Sequence, residues 1–296
     1  MTRDQQTEAT VIATYSRRMR LRLANGEQVD SRIKGKKLKP VCGDRVLTEP
    51  IENEGDWLIT EILERDNQLT RPNLRGAVEI LAANIELLLV VAAASPEPDW
   101  FIVDRYLCAA ESMGTRAAII FNKTDLAAAD SSFADYGDIG YDTVRCSAKS
   151  GENIELISAL LRGQTAIIVG QSGVGKSSII NALLGSDALR TAKISSKTRE
   201  GRHTTVNSEM LDLPGGARII DSPGVRDYAP ALREIGQVLQ GFREIESAGQ
   251  SCRFANCRHL REPGCAVKDA VASGEISARR YESYRRLLAL TEKLDI

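Results

Sequence analysis

Eight residues, Gly170-Gln171-Ser172-Gly173-Val174-Gly175-Lys176-Ser177, constrain this chain more than any other stretch. Their spacing is Gly, four residues, then Gly-Lys-Ser. They stand between the apolar run Thr165–Val169 and a stretch from Lys176 to Leu184 that reads as a helix closed by Gly185. An unbroken apolar run of that length is expected of a parallel strand covered on both faces. A glycine-bearing loop at this point can curl its N–H groups inward around a phosphate chain. The N-terminus of the following helix adds the positive end of its dipole to the same spot. In such a loop Lys176 reaches the β- and γ-phosphates, and the Ser177 hydroxyl ligates Mg2+. The sequence therefore predicts a nucleoside-triphosphate site lined by residues 170–177 and by Ser178 on the first turn of the helix.

Which base the site takes is read upstream. Asn122-Lys123-Thr124-Asp125 follows the apolar run Ala117–Phe121, which places it at the carboxyl end of a strand, where open α/β sheets bind ligands. A carboxylate there accepts two hydrogen bonds from guanine, through N1–H and the exocyclic amine. Adenine offers neither donor, and an unpaired buried carboxylate makes the discrimination strong. Ser147-Ala148-Lys149, after Tyr141–Cys146, reads as a second guanine-side loop. Each of these segments alone would also suit an ordinary polar turn; beside a P-loop the pair points to guanine.

Downstream, Asp221-Ser222-Pro223-Gly224 ends the run Ala217–Ile220. Its Asp221 would hold Mg2+ through water, and the Gly224 N–H would sense the γ-phosphate. The polar stretch Lys193–Thr205 is long and charged enough to be a switch, with Thr204 or Thr205 as a second hydroxyl ligand to Mg2+. Val225 follows Gly224 and cannot orient a water molecule. His203, one of two histidines in the chain, is the available candidate for that task, or else a solvated loop histidine.

Composition and spacing bound the rest. With 296 residues, two or three domains are expected, and a net charge of -1 says nothing about partners. Residues 1–10 lack the apolar core of a signal peptide. No uncharged run approaches the ~18 residues of a membrane span, so a cytoplasmic protein with reduced cysteines is expected. Ala9–Tyr15, Arg20–Leu23, Glu27–Ile33, Asp44–Pro50 and Trp57–Leu63 read as closely spaced strands, with a turn at Asn25-Gly26, which suggests a small barrel. From Arg17 to Lys39 there are nine Lys or Arg against Glu27 and Asp30, an excess of seven. On an oligonucleotide-binding type of barrel this favours an RNA backbone over a merely solvated face.

Arg71-Pro72-Asn73 reads as a connector, Asn84–Ala94 as a strand, and Trp100–Met113 as a helix with Ile102, Tyr106, Ala109 and Met113 on one face. Near the C-terminus, Cys252, Cys257, His259 and Cys265 offer three thiolates and an imidazole within fourteen residues, in a region with no other evident means of building a core. Four such ligands make a closed structural zinc set with no open position for catalysis. Cys42, Cys108 and Cys146 read as small core residues. A last helix, Ser277–Leu294, carries Arg279, Arg280, Arg285 and Arg286 beside Tyr281, Leu287, Leu288 and Leu290; it reads as an amphipathic packing helix and a second RNA contact, with the arginines expected on its exposed face.

The nucleotide motifs are complete, but the guanine-side pair comes first. Ordinary GTPases run P-loop, switch threonine, Asp-x-x-Gly, Asn-Lys-x-Asp, Ser-Ala-Lys. The order here is a circular permutation, with its joint at Arg162-Gly163-Gln164. In these motifs the chain resembles the circularly permuted GTPases that act with the small ribosomal subunit. The resemblance implies a multidomain architecture: an N-terminal OB-type β-barrel over 1–72, a central α/β P-loop GTPase domain over 73–228, and a C-terminal helical zinc-binding domain over 229–296. It also implies zinc at the Cys/Cys/His/Cys set, a catalytic role for His203, and GTP, GDP and Mg2+ as ligands. The implied partner is the small subunit with its rRNA, approached as a monomer during late assembly, with hydrolysis stimulated by the subunit. A GTP-gated RNA-binding module with incidental hydrolysis is the alternative. A P-loop kinase is disfavoured by Asn122–Asp125 and by the switch layout. The Asp-x-x-Gly loop leads directly into the zinc region, so its movement is expected to reorient that region.

Overall fold

A computed structural model describes residues 6–16, 18–35, 37–72, 78–127, 131–185, 206–222, 232 and 234–293. The chain forms two compact units that alternate along the sequence. The first comprises Met1–Leu87, Ile154–Ile168 and Lys176–Tyr228; the second comprises Leu88–Asn153, Val169–Gly175 and Ala229–Ile296.

The first unit begins with the expected barrel. Its strands are β1 (Thr7–Tyr15), β2 (Met19–Leu23), β3 (Gln28–Ile33), β4 (Arg45–Pro50) and β5 (Trp57–Ile62). They pair in the order β1-β2-β3-β5-β4, and β4 pairs back with β1, so the barrel closes. Alternation explains the inward face: in Met19-Arg20-Leu21-Arg22-Leu23 the apolar residues are buried and the arginines are half-buried. Val11, Leu21, Val46 and Ile59 fill the interior with no exposed surface. Full burial of such a side chain contributes about 1.5–3 kcal/mol.

β1 also pairs antiparallel with β12 (Val206–Asp212), with Ala13 opposite Glu209. β12 pairs antiparallel with β13 (Arg218–Asp221), and β13 runs parallel to β11 (Thr165–Val169). The turn at Pro214–Gly216 closes the β12–β13 hairpin. Around the expected connector the outcome differs. Arg71 and Pro72 end a strand, β6 (Gln68–Pro72), which forms a two-stranded ribbon with β7 (Val78–Ala83). The strand expected over 84–94 starts only at Leu87, because Asn84 takes a left-handed φ of 54° and breaks the extended run.

In the second unit β8 (Leu87–Ala93), β9 (Arg116–Asn122) and β10 (Asp142–Arg145) are neighbours in that order. Helix α1 (Trp100–Ser112) starts where the Asp99 carboxylate accepts the N–H groups of Phe101 and Ile102, a side-chain N-cap. More of α1 is buried than a single stripe predicts, and the buried set includes Asp104. α2 (Ser131–Asp138) follows in this unit, while α3 (Ile154–Leu161) and the helix over 176–185, α4, belong to the first.

The C-terminal helices are α5 (Ile235–Gln240), α6 (Arg243–Gly249), α7 (Ala266–Ser273) and α8 (Ala278–Glu292). They do build an apolar core, from Val238, Phe242, Ile245, Val267, Tyr284, Leu287 and Leu288 together with Cys108 and Ala109 of α1. The region is therefore not dependent on metal alone, contrary to the expectation from sequence.

Helix α8 corrects a second expectation. Arg280 is 1% exposed, not solvated. It donates to Asp104 at 2.7 Å and to Glu244 at 2.7 and 3.0 Å, while Arg279 reaches Asp104 at 2.9 Å and Tyr136 donates to the same carboxylate at 2.7 Å. Burial alone would favour losing the Arg280 proton, but the facing Asp104 and Glu244 carboxylates outweigh it and hold the guanidinium charged. Arg285, paired to Glu282, and Arg286, which lies over the Phe101 ring, are exposed as expected; Arg279 and Arg280 are not.

Candidate functional site

Asn122 sits at the end of β9 and is 1% exposed. Its Nδ2 donates to the Val174 carbonyl at 2.9 Å, and its Oδ1 accepts the Ala148 N–H at 3.0 Å. One side chain thus ties the phosphate loop to the Ser147–Lys149 loop. Lys123, at a left-handed φ of 64°, sends its ammonium to the Gly173 and Ser95 carbonyls at 2.7 and 2.5 Å. Gly175 is required at its position, because a Cβ there would stand 2.3 Å from Asn122 Nδ2. Gln171 Oε1 accepts the Asp99 N–H at 2.9 Å and so braces the loop against the start of α1.

Asp125 is held from two sides. Ser147 Oγ donates to Oδ1 at 2.8 Å, and Lys149 Nζ stands 3.9 Å from Oδ2. Thr124 donates its hydroxyl to Glu152 at 3.0 Å and its N–H to the Cys146 carbonyl at 3.2 Å. Cys146 lies beneath, its thiol pushed up to about 12 by burial and then by Glu152, which suits an inert core residue. Three separated sequence segments, 122–125, 147–149 and 170–175, therefore meet within the second unit. Glu152 was not singled out from sequence, and only its place just past the Ser-Ala-Lys segment could have suggested it.

Lys176 is buried and opens α4, with Ser177 and Ser178 exposed on its first turn. Asp221 ends β13, and the neighbouring Ser222 hydroxyl pairs with Ser208 at 2.8 Å. His203, Thr204, Thr205, Gly224 and Val225 lie outside the described residues.

The ligand atoms of Cys252, Cys257, His259 and Cys265 lie within 4.8 Å of one another. Cys252 Sγ and Cys265 Sγ are 3.9 Å apart, and each is 3.5 Å from His259 Nδ1. Tetrahedral zinc with its usual bond lengths requires about 3.8 Å between sulfurs and ~3.5 Å from sulfur to nitrogen. The donor set and the spacing both fit zinc. Burial lowers the His259 value, favouring the neutral imidazole that ligates. At Cys252 burial acts to raise the thiol value, but N–H groups of Val267 and Ala266 at the start of α7 outweigh it and favour the thiolate. Tyr281 and Tyr284 hold the carbonyls of His259 and Arg258 at 2.5 and 2.8 Å, and the Glu262 carboxylate accepts N–H groups of Arg258, Leu260 and Arg261.

The basic stretch on the barrel carries less open charge than its composition suggests. Arg20 pairs with Asp30, Arg22 with Asp212, and Arg32 with Asp56 and Glu54; Arg18 lies 3.7 Å from Asp56. Only Asp30 falls inside the counted segment. Among the described residues no carboxylate lies within ion-pair distance of Lys34, Lys37 or Lys39, so the open charge is lysine; Arg17 and Lys36 lie outside the described residues.

Comparison with known proteins agrees with this geometry. The RsgA GTPase family model matches residues 62–230. A Haemophilus influenzae protein named small ribosomal subunit biogenesis GTPase RsgA is 38% identical over 291 residues, spanning 95% of this chain and 84% of its own. A protein of the same name from Marinobacter nauticus is 42% identical over 256 residues, spanning 84% and 73%. Among solved structures, YjeQ from Thermotoga maritima matches with a TM-score of 0.74 at 28% identity, over 97% of this chain and 98% of its own. YloQ, described as a circularly permuted GTPase, matches with a TM-score of 0.71 at 25% identity, over 97% and 96%. The fold is accordingly a closed N-terminal barrel, a permuted P-loop domain and a helical C-terminal region with a Cys3His cluster, and the chain belongs to the RsgA GTPase family.

Proposed function

We propose that this chain hydrolyses GTP to GDP and phosphate while bound to the small ribosomal subunit, as a late maturation factor. The observation that carries the reading is Asn122 joining the phosphate loop to the loop whose Ser147 holds Asp125. An adenine site has no use for that carboxylate. In this reading Asn122, Lys123, Thr124, Asp125, Ser147, Ala148 and Lys149 hold the guanine side, and Gly170–Ser178 hold the phosphates. Ser177 and Asp221 serve Mg2+, the second through water, with Thr204 or Thr205 as a further ligand. Gly224 senses the γ-phosphate, and Lys176 stabilises charge on the transferred phosphoryl group. Cys252, Cys257, His259 and Cys265 hold one structural zinc.

The proposed division is a barrel over 1–72, a GTPase domain over 73–228 and a zinc domain over 229–296. The partner is rRNA in the subunit, met by a cytoplasmic monomer. Names of the relatives supply the subunit, and the lysines at 34, 37 and 39 supply charge for a phosphate backbone.

With Val225 in place of a water-orienting side chain, the isolated chain is expected to turn over at ~10⁻⁴ to 10⁻² s⁻¹. His203, brought to the attacking water when the subunit orders the switch, supplies a positioning gain of about 10²-fold or more. Single-turnover hydrolysis with and without purified small subunits tests this. His203→Ala should lose most of the stimulation and keep GTP binding. Equal stimulation of both proteins removes His203 from the mechanism, and no stimulation of either favours a GTP-gated binding module in which hydrolysis is incidental.

A further inference from the structure

Among the described residues one aromatic side chain is largely exposed, Phe254 at 41%. In a chain that is 5% aromatic, the other described rings are at least partly covered. Phe254 stands on the loop between the first two ligands of the thiol cluster, Cys252 and Cys257. Its place on that loop is fixed by the backbone: Cys257 N–H donates to the Phe254 carbonyl at 3.1 Å, and Arg253 N–H donates to the Gly264 carbonyl at 3.0 Å.

One cation lies over it, and a second stands on another turn of the same cluster. The Arg253 guanidinium lies 5.4 Å from the centre of the Phe254 ring, and its stem fills the space a Cβ on Gly264 would need, 3.2 Å from Arg253 Cβ. Arg261, also exposed, projects from the turn between His259 and Cys265. Among the described residues no carboxylate pairs with Arg253 or Arg261. The nearby Glu262 carboxylate is already taken by backbone N–H groups.

A part-exposed ring with a cation over it, and a second cation without a carboxylate partner on a turn of the same cluster, puts an apolar face and two open positive charges on one loop region. It is the arrangement single-stranded nucleic acid uses: an aromatic platform for a base, and arginines for the flanking phosphates. We propose that Phe254 is a stacking platform for one unpaired RNA base, with Arg253 and Arg261 on its backbone. The proposal rests on the RNA-bearing partner inferred above and adds a second contact, distinct from the barrel lysines. An apolar protein surface is the competing occupant. The two differ physically: protein packing rewards any apolar side chain of similar size, while stacking requires a flat π-face.

The test compares the full-length chain with Phe254→Leu, Phe254→Trp and Arg253→Gln/Arg261→Gln, after metal analysis and GTP binding show each intact. The probe is a labelled single-stranded oligoadenylate of ~12 nucleotides, followed by anisotropy over a salt series. Phe254→Leu should bind on the order of tenfold more weakly, while Phe254→Trp binds as well as the parent or better. The double arginine variant should lower the log–log salt slope by about 1.4, roughly 0.7 for each phosphate contact. Equal binding by the Leu variant and the parent overturns the proposal, as does equal loss in the Leu and Trp variants or no binding by the parent. Binding to purified small subunits separates the premises. A parent chain that fails to bind subunits overturns the functional reading; subunit binding weakened by Phe254→Leu while the oligonucleotide is unaffected assigns the ring to a protein contact and overturns this inference alone.

Discussion

Around Asp125 the polar side chains already have protein partners, whereas around His259 three thiols and an imidazole bring their ligand atoms within 4.8 Å of one another. Both regions belong to the same compact unit. The guanine-side loops are shaped by the chain itself, through Asn122, Ser147 and Glu152. The cysteine loop is shaped by backbone bonds at its rim and, on the proposed reading, by a zinc ion held among its side chains. A site of the first kind can lose one group and keep its form. One of the second kind loses form and ligand together, because binding free energy and folding free energy are the same quantity there.

The largest effect is expected at the cluster. Cys265→Ala should abolish zinc retention, and the loop over 250–265 should lose hydrogen-exchange protection, since structural zinc sites contribute on the order of 10 kcal/mol. Helices α5, α6 and α8 should lose less protection, because Val238, Phe242, Ile245 and Leu287 supply an apolar core of which Cys257 and Cys265 are only a part. A zinc-free variant whose 250–265 loop exchanges as slowly as the parent breaks the contrast.

At Asp125 the loss should be confined to the ligand. Asp125→Asn is expected to weaken GTP at least ~10²-fold, two charge-assisted hydrogen bonds being worth about 1.5–3 kcal/mol each. Xanthosine triphosphate should then be preferred, since its C2 carbonyl accepts from the amide. Unfolding by denaturant should shift little. GTP affinity unchanged in the folded variant refutes the base assignment, and a large stability loss shows that this site is no more autonomous than the cluster.

The smallest effect sharpens the first half of the comparison. Glu152→Ala removes the acceptor of the Thr124 hydroxyl, an exposed hydrogen bond worth roughly 0.5–1.5 kcal/mol at most. GTP affinity measured by titration should fall only a few-fold, and Glu152→Gln should restore it. A loss as great as that of Asp125→Asn would mean the loop is held at one point and not at several.

How much of this was legible follows the separation of the residues involved. The nucleotide motifs are runs of three to eight neighbours, and their spacing states their chemistry. The barrel strands declared themselves by alternation, as in Met19–Leu23. The cysteine cluster was equally local. What stayed hidden were charges neutralised from afar: Arg22 looked free until Asp212 met it, 190 positions away. Arg280 looked solvated because no pattern within α8 announces a carboxylate on α1. Phe254 carries no sequence signal, because the exposure of a single ring depends on what fails to pack against it.

The buried meeting of Arg280 with Asp104 and Glu244 has a further consequence, which concerns angle more than strength. An apolar helix can rotate about its axis by some tens of degrees and still cover oil with oil. A planar guanidinium that must face two carboxylates on different helices permits one azimuth, and a half-turned α8 would strand a charge at a cost of about 3–5 kcal/mol. Apolar replacements of similar volume for all three residues could match the stability and still surrender that orientation. The network acts as a key-way: it indexes the C-terminal helix, and with it the tyrosines at 281 and 284 that seat the metal loop, against the helix that starts beside the phosphate loop.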